Sequence, residues 1–161
     1  IAPIYEGTNG IQAIDLAGRK LSMADGAAMA SMIEEIEQTA RSARETNDPN
    51  LVQVADRLIA ANAALSEATE WMKRAMKEDR EVALAGATAY LALAGDVIGG
   101  HFLTKGAVEA RATGGQIRGR MTALAGFFAE TSLAAAPGAV ASITQGGQAM
   151  LAESEALFGI G

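Results

Sequence analysis

The 161 residues amount to one domain, long enough to bury a core; half are apolar, with alanine and glycine carrying much of that share and aromatics only 4%. Small side chains in that proportion suit closely packed helices and suit β-sandwiches poorly. A net charge of −6 argues against a dedicated nucleic-acid or anionic-membrane surface, and zero cysteines exclude disulfides, thiolate nucleophiles and thiolate metal sites.

No basic segment followed by a cleavable apolar stretch opens the chain, which fits the acidic balance of a cytoplasmic protein. The start at Ile1-Ala2-Pro3, without methionine, reads as the inside of a longer protein. After an opening turn, Ile11, Ile14, Leu16 and Leu21 among Gln12, Asp15, Arg19 and Lys20 predict a short amphipathic helix. Asp25 is the expected N-cap of the next helix, whose stripe Met29, Ile33, Ile36, Ala40, Ala43 faces a core while Glu34, Glu35 and Glu37 stay in solvent. Those three acids lack the partner histidine of a di-iron bundle, so no metal site is expected.

The stretch ETNDPN at 45–50 breaks that helix, Pro49 being tolerated at a turn or a first helical position. Leu51, Val54, Leu58, Ala61, Leu65, Ala68, Met72 and Ala75 then keep a three-four spacing for about seven turns. So strict a seam predicts neighbours packed nearly antiparallel. Trp71, Met72 and Met76 read as core rather than as a ligand groove. KEDRE at 77–81 is expected to be a loop, followed by a helix from about Glu81 to Ala112 with Ala83, Ala87, Tyr90, Leu93, Val97 and Leu103 apolar.

Within that helix, the uncharged run 82–95 falls short of the roughly 20 residues a membrane span needs, and Asp96 follows it; a buried central helix or one at a subunit contact is expected. His101 reads as a hydrogen-bonded packing residue, since Asp96, five residues away, is poorly placed to orient it. TGGQ at 113–116 stops the helix through Gly114 or Gly115. The last segment starts near Ile117 and carries Met121, Leu124, Phe127 and Phe128, and Pro137-Gly138 must kink or split it. The fold expected is all-α: an up-and-down bundle of about four long helices after a short segment and helix.

The chemistry of the chain concentrates in IYEGTNGIQ, residues 4–12. Taken locally, Glu6-Gly7-Thr8-Asn9-Gly10 is a glycine-hinged turn with Thr8 or Asn9 as N-cap of the helix that follows. The same residues closely resemble the catalytic signature of the acyl-CoA dehydrogenase family, in which a Tyr-Glu-Gly-Thr turn leads into a helix containing Ile-Gln. That resemblance implies an FAD-dependent oxidation of an acyl-CoA thioester to the 2,3-enoyl-CoA, with Glu6 as the base that removes the α-proton. Such a base must be a carboxylate whose proton affinity rises once substrate excludes water. Gly7 then leaves room for the acyl chain, and Thr8, Asn9 and Gly10 present backbone N–H groups to the FAD.

Family members that end soon after this helix differ from the present chain, which continues for some 140 residues and so resembles the longer subgroup with an added C-terminal helical domain. The resemblance divides the chain into residues 1–22, the end of a catalytic domain, and 23–161, the added bundle. It also implies electron-transferring flavoprotein as acceptor and a homo-oligomer. Most of the FAD and CoA contacts would lie upstream, so the isolated piece is expected to be inactive. The alternative is a non-catalytic helical assembly module in which residues 1–10 are only a connector.

Overall fold

In a computed structural model, which describes residues 8–153 and 159, the chain forms six α-helices and two 3-10 segments, with no strand among the described residues. Helix α1 is Asn9–Gly18, α2 Ala27–Glu45, α3 Pro49–Glu78, α4 Arg80–Thr113, α5 Gly115–Thr131 and α6 Ala136–Ala152. The 3-10 segments are Lys20–Gly26, between α1 and α2, and Leu133–Ala135, between α5 and α6.

Cross-helix contacts fix the direction of each long helix. Asn62 Nδ2 donates to the Ile33 carbonyl at 3.0 Å, a pair that straddles the α2–α3 break evenly. The Thr69 and Tyr90 hydroxyls lie 2.8 Å apart, one residue on each side of Asp79 at nearly equal sequence distance. Gly99 faces Phe128 and Gly106 faces Met121 about Gly114 in the same way. Each successive long helix therefore runs antiparallel to the one before, and the α5–α6 run is the fourth, broken member of an up-and-down bundle.

The three-four seam of α3 is buried along its whole length, from Leu51 to Ala75. It meets Ile36, Ala40 and Ala43 of α2 and Ala83, Ala87, Tyr90, Leu93 and Val97 of α4 in one continuous core. Met72 is fully buried there, while Trp71 and Met76 pack against the edge of the core. Alanine at so many of these positions lets backbones approach closely, and at one crossing even alanine is too large. A Cβ on Gly86 would stand 2.5 Å from the Ile143 carbonyl oxygen, and one on Gly147 2.7 Å from that of Val82. Helices α4 and α6 therefore touch backbone to backbone.

Tyr90 is fully buried, and its hydroxyl shares a hydrogen bond with Thr69, which also donates to the Leu65 carbonyl at 2.7 Å. Burial raises the Tyr90 phenol above its ordinary value, partly offset by the Thr69 hydrogen bond. Tyr90→Phe should lower the unfolding free energy by about 1 kcal/mol, the net value of one buried hydrogen bond. Urea unfolding with an unchanged m-value would register this as a lower midpoint; an unchanged midpoint would mean the pair adds nothing.

Three expectations about helix limits and faces need correction. Asp25 does not cap α2: it lies in the left-handed region at φ 55°, after Ala24 at φ 50°, and the N-cap is Gly26 at φ 85°. The link reverses so sharply that the capping position must also be left-handed, which glycine adopts without a Cβ clash. KEDRE is hardly a loop: only Asp79 stands between α3 and α4, extended at φ −149°, and its carboxylate accepts from Val82 N at 3.2 Å. A single capping residue is enough to turn the chain there. Helix α1 does not bury its isoleucines: Ala13 and Ala17 face the core, while Ile11 is 66% and Ile14 46% exposed; Leu21, in the 3-10 segment that follows, is buried as the pattern predicts. The small residues turn inward because α1 lies directly on α4.

Helix breaks elsewhere follow the sequence. Asp48 accepts from Asn50 N at 3.1 Å with Pro49 in the first turn of α3, Gly114 separates α4 from α5 at φ 71°, and Pro137 sits in the first turn of α6. Helix α4 and the Gly115–Ala152 run have the length and apolar composition of a membrane span, because α4 extends well beyond its uncharged stretch. In α4, however, Tyr90, Leu93 and Val97 are turned into the bundle.

Candidate functional site

Glu6 and Gly7 lie outside the described residues. Thr8, Asn9 and Gly10 are brought together at the start of α1, and all three are exposed. Thr8 occupies the N-cap position, and its carbonyl accepts from Gln12 N at 2.9 Å, the first bond of the helix. The N–H groups of Asn9, Gly10 and Ile11 precede any helical acceptor and point outward along the axis. A Cβ on Gly10 would meet nothing within 4 Å among the described residues.

Packing holds this helix on the bundle. Ala13 and Ala17 seat α1 on the bundle, and Asp15 fixes the link that follows through Arg19 (2.6 and 2.9 Å) and Lys20 (3.3 Å). The hydrogen bond from Arg19 holds the Asp15 carboxyl below its usual value. Ile11 and Ile14 make an apolar surface just beyond the three candidate residues. The residues present suit an edge contact to a flavin: outward N–H groups, no side chain at Gly10, and an apolar flank.

His101 is buried as expected but is not hydrogen bonded. Its ring is fully enclosed, both nitrogens lack partners among the described residues, and Nε2 stands 3.6 Å from Glu35 Oε1 on α2. Glu35 is occupied by Lys105, whose Nζ donates to it at 3.0 Å. The expected solvent face of α2 is thus exposed at Glu34, Glu35 and Glu37, with Glu35 also bridging to α4.

Burial lowers the His101 pKa below 6.5, outweighing the opposite pull of Glu35. The folded protein then holds the ring neutral while the unfolded chain binds its proton near pH 6.5. Stability from this group is complete above that pH and is lost as pH falls from about 6.5 toward the folded-state value, by at most about 1.4 kcal/mol per unit. His101→Leu should flatten the pH dependence of the urea midpoint in that window; an unchanged slope would remove His101 as its cause.

Several clefts lie away from α1's N-terminus, and two of them stand at the two ends of α3. One, of about 630 Å³, lies between the start of α3 and α5, where Gln53 and Arg57 hold Glu130 at 3.1 Å and Asp48 holds Arg111 at 3.0 Å. The other, of about 560 Å³, lies at the far end of α1, beside Lys73, Lys77 and Arg80. Nothing in the order of residues points to the second, because Lys77 and Arg80 from 77–81 meet residues of α1, α3 and the Lys20–Gly26 link only in the fold.

These features define an antiparallel helical-bundle domain whose first helix begins with Thr8, Asn9 and Gly10 exposed. The family described as acetyl-CoA dehydrogenase C-terminal like matches residues 32–153, and the chain belongs to that family. It is 33% identical over 112 residues to a 3-methylmercaptopropionyl-CoA dehydrogenase of Ruegeria pomeroyi (strain ATCC 700808 / DSM 15171 / DSS-3). That alignment covers 70% of this chain and 19% of the relative, so the chain spans about a fifth of the relative's length. No solved structure matches the chain.

Proposed function

We propose that the chain is the C-terminal part of an FAD-dependent acyl-CoA dehydrogenase, with Glu6 as the base that takes the α-proton of an acyl-CoA thioester. The observation that carries this is the agreement of two separate stretches. The motif at 4–12 resembles the catalytic signature of acyl-CoA dehydrogenases, and the family match at 32–153 does not include it.

On this reading residues 1–22 close a catalytic body and 23–161 are the added bundle. Thr8, Asn9 and Gly10 offer N–H donors to the flavin edge, Gly7 leaves space for the acyl chain, and Ile11 and Ile14 are covered by the body that precedes them. Bound FAD supplies the acceptor for the β-hydrogen. The chain's own share is to place one carboxylate where substrate excludes water, which raises its proton affinity toward that of a working base. Electron-transferring flavoprotein as acceptor, a homo-oligomer and a cytoplasmic location belong to the same proposal, and the isolated chain is expected to be inactive.

Anaerobic addition of an acyl-CoA panel to the full-length protein tests it: the flavin absorbance should bleach with its substrates and stay unchanged without them. A second reading, a non-catalytic assembly module, is favoured by the exposed apolar side chains Ile117, Leu124 and Phe127 on α5. It predicts that no acyl-CoA bleaches the flavin, or that no flavin is bound.

A further inference from the structure

The fold sorts the charges of the KEDRE stretch in a way its order does not suggest. Asp79 is turned back to cap α4, whereas Lys77 and Arg80 both line the cavity at the far end of α1, joined by Lys73 one turn earlier on α3. Three cations therefore meet one carboxylate, Asp25, in a cavity of about 560 Å³. Lys73 is engaged with Glu70 at 3.0 Å, while Lys77 and Arg80 have no ion-pair partner among the described residues.

Helix electrostatics does not account for this arrangement. Lys77, in the last turn of α3, does favour the negative end of that helix. Arg80 is the first residue of α4, where the positive end of a helix disfavours a cation. In an acidic chain with 19 carboxylates, two unpaired cations directed into one concavity are what an anion would satisfy. The floor is apolar, made by Ala17, Leu21 and Met76, so the wall is cationic and the bottom is not.

The remaining wall comes from the Lys20–Gly26 link with its successive left-handed residues, and Lys73 lies against Gly26, its Nζ 3.4 Å from where a Cβ would be. The cavity stands at the opposite end of α1 from Thr8, about 15 Å along a ten-residue helix, and shares no residue with the motif. We propose that this cavity binds a phosphate monoester, its phosphate held by Lys73, Lys77 and Arg80 and its apolar or aromatic substituent lying on Leu21 and Met76. Guanidinium and ammonium donors suit phosphate oxygens, and the apolar side chains of Leu21 and Met76 suit a base or a short chain.

Lysine footprinting on the full-length protein tests this with two probes, inorganic phosphate and adenosine 3′,5′-bisphosphate. Acetylation of Lys73 and Lys77, read by peptide mass spectrometry, should slow saturably while Lys20 and Lys105 are unaffected. Arg80→Gln should weaken the protection roughly tenfold, as for the loss of one charge-assisted hydrogen bond. Equal protection by both probes would make phosphate itself the ligand; stronger protection by the nucleotide would show that the floor reads the substituent. Unchanged labelling of Lys77, equal protection of Lys20, or protection that survives Arg80→Gln would overturn the proposal. None of these outcomes depends on Glu6.

Discussion

Gly86→Ala is expected to destabilise the protein by about 1–3 kcal/mol, although glycine to alanine in an exposed helix ordinarily stabilises it. The reason is local. The added Cβ would stand 2.5 Å from a backbone oxygen, that of Ile143, which cannot rotate away as a side chain could. Either α4 and α6 separate, taking Gly147 and Val82 out of contact as well, or one helix bends. Gly95 on the same helix is the control: it is exposed, nothing lies within 4 Å of its added Cβ, and Gly95→Ala should stabilise by up to about 1 kcal/mol. Opposite shifts of the two urea midpoints would confirm the contact; shifts of the same sign would mean that the α4–α6 crossing is wider than 2.5 Å implies.

The second large effect is chemical. In the full-length protein, Glu6→Gln should lower the rate of flavin reduction by acyl-CoA by between about a hundredfold and ten-thousandfold, the usual contribution of a general base. Glutamine keeps the size and an oxygen acceptor but cannot take a proton, so flavin and substrate should still bind. Stopped-flow bleaching separates the two steps: substrate affinity near wild type with a lost reduction rate assigns Glu6 as base. A reduction rate equal to wild type would leave residues 1–10 as a connector.

The candidate site is marked in the sequence by a resemblance that rests on contiguous residues. Glu6, Gly7, Thr8, Asn9 and Gly10 are consecutive in sequence, so the resemblance they carry can be read without the fold, and the structure places Thr8, Asn9 and Gly10 at the start of α1. Its neighbours were less accessible. Ile11 and Ile14 look like the inward face of α1, yet they are exposed because Ala13 and Ala17 allow the closer approach to α4.

The sequence by itself determined the all-α class, the antiparallel bundle and most of the helix limits. A three-four seam such as Leu51 to Ala75 has only one way to be buried, and Pro49, Gly114 and Pro137 permit few backbone geometries. Tertiary structure decided which small residues become contacts and which charges become neighbours. Nothing along the chain distinguishes Gly86 from Gly95, or the lysines of the far cavity from an ordinary wet loop. Those distinctions arise when helices distant in sequence are brought together, because contact distance and burial belong to pairs of segments and not to either segment alone.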